Sequence, residues 1–280
     1  VYGSPTAVGG AFEVVDALRG VEFHDIQMGV SDARCARLQL AALEHAIEDA
    51  KRGAIDAIVT APWTKSLFET IGLPSVGHTE VLADRFGVGD EHVMMLAGDV
   101  LRVSLATTHV PLRRVVEVLS VERIVRTIEI TARELQRSFG IASPSIAVCG
   151  NNPHASEKGH IGTEDLTMTL PAIREAQQRG WDVEGPFPAD TLFPRFRGDS
   201  GPFDAVVAMY HDQGLVPLKL RHFGEAANIT LGLPVVRTSV DHGSAWDIAG
   251  KGIADASSMA YAIEMAAQLV GNRGTHDGSS

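Results

Sequence analysis

The chain has 280 residues, 45% of them hydrophobic and 21% charged, the balance of a globular protein with ample apolar material for a core. A formal net charge of −11 argues against nucleic acid or an anionic membrane as partner. No apolar run is long enough to span a bilayer, and no charged segment followed by an apolar stretch opens the chain, which points to a cytoplasmic protein.

Val14 to Leu18 reads as part of an early helix. Ala33 to Arg52 carries Leu38, Ala41, Ala42 and Ala46 at helical spacing, with charges opposite. Ala57 to Thr60, ended by Pro62, reads as a buried strand, and Val93–Leu96 and Val103–Thr107 as paired strands. Val121 to Phe139 is a long amphipathic helix stopped by Gly140. Ser145–Cys149 and Ala205–Met209 are further buried strands, and Ser257–Val270 a late helix. The polar tail from Gly271 to Ser280 reads as disordered. Strands alternating with helices imply an α/β fold with a mixed sheet. Cys35 and Cys149 are far apart and lack metal-type spacing, so both read as buried thiols. The first residue is Val1, not Met, and the sequence reads as trimmed at its N-terminus.

Polar clusters follow the strands: Ala61–Lys65, Thr107–His109, Gly150–His154 and Tyr210–Gly214. In α/β sheets ligands bind beyond the carboxyl ends of strands. Three clusters carry a histidine, His109, His154 and His211, and imidazole suits zinc and similar divalent ions. A lone histidine after a strand is more often a hydrogen-bonded loop residue; three in equivalent places shift that balance, without a compact motif such as H-E-x-x-H. His78, in Gly77-His78-Thr79-Glu80, sits where a helix start would offer free amides to an anion. Lys219, Asn228 and Arg237 each border an apolar segment, where a long cation either snorkels or points into a cleft. His242 to Ala254 combines three glycines with small residues and leaves the backbone open to close approach, without the G-x-G-x-x-G of a Rossmann domain. It resembles the adenosine-binding loop of isopropylmalate and isocitrate dehydrogenases.

Together these segments resemble the 4-hydroxythreonine-4-phosphate dehydrogenase family of pyridoxal phosphate biosynthesis. The likeness runs from about Ser31 to Val270 and is closest in Met209–Leu215 and Thr238–Gly243. It implies two α/β/α domains with a cleft between them, as in isopropylmalate dehydrogenase: residues 1–77 with 238–280 as a nucleotide-binding outer domain, and 78–237 for metal, substrate and dimerisation. It implies His109, His154 and His211 as ligands of a divalent metal, zinc first, with cobalt, manganese or magnesium as alternatives. His78, Thr79, Lys219, Asn228 and Arg237 match substrate positions. His242, Gly243, Ser244, Ala245, Asp247 and Gly250 match the NAD loop, and Lys219 or Asp190 would carry the catalytic proton. The implied protein is a homodimer with the metal site completed across the interface.

The implied reaction is oxidation of 4-phosphohydroxy-L-threonine to a β-keto acid that decarboxylates to 3-amino-2-oxopropyl phosphate. Competing substrates are 4-phospho-D-threonate and 4-phospho-D-erythronate; competing classes are a non-catalytic metabolite-binding relative and a metal-dependent hydrolase. Two departures stand out. The Gly-rich opening loop of the family is not in this sequence, and Ser156-Glu157-Lys158 stands where the family carries Gly-Glu-Gly.

Overall fold

A computed structural model describes residues 1–3, 13–16, 29–30, 32–73 and 77–277. In chain order the elements are β1 (Tyr2–Gly3), β2 (Val15–Asp16), α1 (Ala33–Lys51), β3 (Ala57–Thr60), α2 (Lys65–Glu69), α3 (His78–Phe86), β4 (Val93–Ala97), β5 (Arg102–Leu105), α4 (Val115–Val118), α5 (Val121–Arg137) and β6 (Ser145–Cys149). They continue with α6 (Leu170–Gln178), β7 (Asp182–Phe187), α7 (Ala189–Leu192), β8 (Ala205–Ala208), α8 (His211–Arg221), β9 (Ala227–Leu231), β10 (Val236–Ser239) and α9 (Ser257–Asp277). Eight strands form one mixed sheet in the order β3-β10-β9-β4-β5-β8-β6-β7, so the expected α/β class holds. The sheet is continuous across both boundaries drawn from the sequence.

Local chemistry explains the main elements. The Asp32 side chain accepts from the Arg34 amide at 2.7 Å and caps α1. The Ser120 hydroxyl does the same for α5 through Arg123. The apolar stripe of α5, with Ile124, Ile128 and Leu135 fully buried, packs on the sheet. Burial of each such side chain contributes about 1.5–3 kcal/mol. Strands β6 and β8 are covered on both faces, which is why Ala205 to Ala208 are all buried and read as a continuous apolar run.

Three expectations need correction. Val15–Asp16 is not helical: it pairs in parallel with Tyr2–Gly3, and the Tyr2 hydroxyl donates to Asp49 on α1 at 2.6 Å. Leu18 lies outside the described residues. The final helix does not stop at Val270 but runs to Asp277. Its polar end finds tertiary partners: Asn272 donates to the Ser138 carbonyl, and Arg273 donates to Glu134, Ser138 and the Pro234 carbonyl. Residues 278–280 are outside the description. Cys149 is buried as expected, whereas Cys35 is only half-buried; both are free thiols. Strand β7 and helix α6 are not anticipated by the sequence pattern: β7 is an edge strand carrying Asp182, Glu184 and a Gly185-Pro186 pair, and α6 has a proline in its first turn.

The Arg273–Glu134 pair, 2.9 Å apart with side chains 14% and 7% exposed, fastens the last helix to α5. Removing Arg273 takes away the nearest cation from a buried carboxylate, leaving it the Ser138 hydroxyl and Arg137 at 3.9 Å, at a cost below the roughly 3–5 kcal/mol of a fully stranded buried charge. Arg273→Ala is therefore expected to lower the urea midpoint markedly with an unchanged denaturant slope. A midpoint equal to that of the parent protein would show that the pair does not hold the helix.

Candidate active site

Strand register builds the floor of the site. Ser239 on β10 pairs with Asn228 on β9, and Met94 on β4 pairs with Thr230 on β9. Side chains alternate between faces, so Asn228, Thr230, Arg237, Ser239 and Met94 share one face of the sheet. Above them lies a cavity of about 350 Å³, at the small end of the range for metabolite sites. Its walls come from the loop after β3 (Trp63, Lys65), the first turn of α3 (His78, Thr79, Glu80), and the loops after β5 (His109) and β10 (His242).

Arg237 is 3% exposed. Two of its nitrogens donate to hydroxyls, Nη1 to Thr230 at 3.0 Å and Nη2 to Thr60 at 2.8 Å; Nε has no partner. Burial pushes its pKa down to about 10, with Glu80 acting in the opposite sense. A desolvated guanidinium held by hydroxyls is a receptor for an anion. Asn228 lines the same cavity with a buried, unpartnered Oδ1, which can accept from a ligand donor.

His78 opens α3. A Cβ at Gly77, which precedes it, would press on the mobile ends of Glu80 and Lys65. The Gly77 amide donates to Glu80 Oε2 at 2.9 Å. The His78 ring packs on Trp63, centroids 4.1 Å apart, and Trp63 stacks on Phe68. Burial, then the Arg237 charge, drives the His78 pKa down to about 2, so the ring is neutral and offers one donor and one acceptor.

Strands β5, β8 and β6 are parallel neighbours, so His109, His211 and His154 leave the sheet from the same edge. The rings of His109 and His211 have centroids 5.6 Å apart. Two imidazoles sharing one tetrahedral ion at about 2.0–2.1 Å each place their centroids roughly 5 Å apart, so this spacing suits a common metal. Burial, then Lys65 and His211, holds the His109 pKa below the usual range, favouring the neutral, ligating form. His211 Nδ1 is 2.7 Å from Asp212 Oδ1, which leaves Nε2 for an ion. Among the described residues, however, no group of three or more His, Cys, Asp or Glu side chains converges on one point. His154 is exposed and does not join the other two within one chain.

His154 begins a left-handed turn. It and Ala155, Ser156, Glu157 and Lys158 all have φ between +42° and +64°. This backbone costs L-residues about 1–2 kcal/mol each, so its surroundings must hold it. Asp165, 1% exposed, accepts from the amides of Asn151 (2.6 Å) and Asn152 (3.1 Å) and from the hydroxyls of Ser156 (2.7 Å) and Thr169 (2.9 Å). The serine that departs from the family pattern thus has a buried partner. Gln213 ties the loops together: its Oε1 accepts from the Met209 amide and its Nε2 donates to the Gly150 carbonyl, both at 2.7 Å.

The glycine-bearing loop docks through Ser244, whose Oγ is 2.6 Å from Thr64 Oγ1, and through Trp246 Nε1, which donates to the same hydroxyl at 3.3 Å. Ala245 and Gly250 have φ of +48° and +76°, and a Cβ at Gly243 would meet nothing within 4 Å. Asp247 is exposed. This is an open backbone presented beside the cavity.

The structure therefore brings His78, Thr79, His109, Asn228, Arg237 and His242 to one cavity, with Lys219 one step behind: its Nζ donates to the Asp241 carbonyl (3.0 Å) and pairs with its carboxylate (2.9 Å). Asp190 lines a separate, mainly apolar pocket with Asp212, Gln213, Val216 and Leu220. Sequence reasoning missed Thr60, Thr230, Asp165 and Gln213. Gln213 lies within a motif already singled out; the two threonines and Asp165 carry no local signal, because strand register and loop packing, not a motif, bring their partners to them.

Residues 5–266 match the family model described as pyridoxal phosphate biosynthetic protein PdxA. The chain is 49% identical over 249 residues to the 4-hydroxythreonine-4-phosphate dehydrogenase of Burkholderia vietnamiensis, covering 88% of this chain and 75% of that one. The crystal structure of the Klebsiella pneumoniae enzyme of the same name superposes with a TM-score of 0.80 at 41% identity, covering 88% of this chain and 74% of that one. Isocitrate dehydrogenase from Methylococcus capsulatus, at 18% identity and a TM-score of 0.50 over 85% of this chain and 76% of that one, shares the fold, as the loop resemblance implied.

The His78 environment has a consequence for acid stability. Unfolded, the ring binds a proton near pH 6.5; folded, only near pH 2. Between those values the unfolded state holds more protons, so stability rises with pH across the window and is lost as pH falls below about 6.5. From about pH 7 to pH 5 this group alone removes about 2 kcal/mol. His78→Gln is expected to flatten the difference between urea midpoints at those two pH values by about that amount. An unchanged difference would mean that the ring is protonated in the fold.

Proposed function

Because the chain belongs to the pyridoxal phosphate biosynthetic protein PdxA family, we propose that it is an NAD-dependent, divalent-metal-dependent dehydrogenase of 4-phosphohydroxy-L-threonine. The product would be a β-keto acid that decarboxylates to 3-amino-2-oxopropyl phosphate. The observation that carries this reading is Arg237, a buried cation with an unpartnered nitrogen in a cavity that also holds Asn228, His78 and Thr79. Such a floor suits a doubly anionic substrate and is wasted on a neutral diol.

Arg237 and Asn228 would bind the anionic groups, and neutral His78 and the Thr79 hydroxyl would orient them. His109 and His211, with His154, would hold the ion, and the His242–Gly252 loop the nucleotide. When bound, the ion supplies Lewis acidity at the reacting hydroxyl and NAD supplies the hydride acceptor. Of the two candidates for handling the proton, Lys219 lies nearer the cavity than Asp190, because its partner Asp241 adjoins His242 on the cavity wall; its ammonium would have to release a proton to Asp241 or solvent before Nζ could accept one from the substrate. Trp63 and Phe68 exclude water beside His78.

We further propose a homodimer that completes the metal site. Two observations support it: His154 stands apart from the other two histidines, and α8 with the turn after it exposes Val216, Leu220 (84%) and Phe223 (87%) beside the apolar pocket.

The deciding assay follows NADH formation with 4-phosphohydroxy-threonine, 4-phospho-threonate and 4-phospho-erythronate side by side, metals varied. The first is expected to give the highest kcat/KM; faster turnover of a sugar acid would reassign the substrate. His211→Ala should reduce turnover at least 1000-fold with the fold intact, and a chelator should do so reversibly. Near-normal activity in either case would remove the metal from the mechanism. Leu220→Asp should sediment as a monomer and lose turnover; an active monomer would refute the shared site.

A further inference from the structure

The segment that carries His154 is held by one buried carboxylate. Asp165 opens a π-helical turn, Asp165–Thr169, that packs against the left-handed turn starting at His154. Such widened turns recur at functional sites. Thr169 fixes the carboxylate to its own element, and the remaining bonds all go to residues on either side of His154: the amides of Asn151 and Asn152 before it and the Ser156 hydroxyl after it. Asn152 closes the ring, donating from Nδ2 to Ser156 Oγ (3.1 Å) and to Glu164 Oε2 (2.6 Å). The fit leaves no slack: a Cβ at Gly150 would lie 2.8 Å from the Ala155 Cα.

We propose that Asp165 is a positioning residue for metal binding: through Ser156 and the Asn151 and Asn152 amides it holds the left-handed turn that presents His154. Neither Asp165 nor Ser156 touches the ion. Their work is to keep a backbone that five L-residues would otherwise leave. Ser156, at φ +64°, both strains the turn and supplies the hydroxyl that secures it. A glycine at 156 would lose the hydroxyl but adopt that φ without steric cost. An alanine would lose the hydroxyl and keep the strain. The two substitutions therefore separate the clamp from the bulk of the side chain.

This inference rests on the reading of His154 as a ligand, and the test keeps the two apart. Metal-free full-length protein is titrated with Co²⁺, followed by visible absorbance and by competition with Zn²⁺. Amide hydrogen exchange is measured over residues 150–161 without metal. His154→Ala addresses the ligand reading: it should lose most of the affinity, and an unchanged Co²⁺ affinity would overturn that reading together with the inference built on it. Asp165→Asn should weaken Co²⁺ about 10- to 100-fold, the usual effect of removing an outer-shell partner, and speed exchange at the Asn151 and Asn152 amides. Ser156→Ala should weaken Co²⁺ measurably, and Ser156→Gly should lie closer to the parent protein. The serine pair remains informative where Asp165→Asn does not fold. Parent-like affinity and exchange in folded Asp165→Asn, or equal effects of alanine and glycine at 156, would overturn the proposal even if His154→Ala abolishes binding.

Discussion

The site depends on a positive charge held out of water. Arg237, on the strand next to the sheet edge, is fixed by hydroxyls from the strands on either side of it, Thr60 on β3 and Thr230 on β9. Hydroxyls can satisfy N–H groups but cannot neutralise a charge, so the guanidinium remains an incomplete ion pair. The same field acts on His78, where it adds to burial in keeping the ring neutral. One cation thus sets both the sign of what the cavity accepts and the protonation of its neighbour.

Rigidity is distributed unevenly around that charge. The floor lies on paired strands, where register alone fixes which side chains face the cavity. The histidines lie beyond the strand ends, His109 on a loop, His154 in the left-handed turn and His211 at the start of α8, where the strand ladder does not fix them. The chain supplies separate devices for this: Gln213 bridges the exits of β6 and β8, Asp212 engages the His211 ring, and Asp165 gathers the turn of His154. The Asp212 contact is local, between neighbours in the chain, whereas Gln213 reaches across to Gly150; together they supply order that the strand ladder does not.

The open surface of α8 fits the same division. Its inner residues Leu215 and Leu218 are buried against the sheet, while Val216 and Leu220 face outward. A helix apolar on both sides is at home between two layers. One of those layers is the sheet of this chain, and α8 begins with His211, so its open apolar face lies beside the paired rings of His109 and His211.

The sequence by itself determined the α/β class, the main strands and helices, and the residue types of the site. These follow from periodicities of two and of about 3.6 and from polar clusters placed after apolar runs, which are local properties. His78, Thr79, His109, Asn228 and Arg237 were legible in this way, helped by motifs resembling a known family. The sequence misjudged Val15–Asp16 and the tail after Val270, because a two-residue strand and a polar helix end are stabilised by partners elsewhere in the chain, Tyr2–Gly3 and Glu134, rather than by their own composition. Only the tertiary structure decided that Thr60 and Thr230 hold Arg237, that Asp165 secures the turn of His154, and that Asp190 belongs to a different pocket from Asn228. The physical reason is that these contacts depend on strand order, strand register and the packing of loops against one another, and none of these is written in any local stretch of sequence.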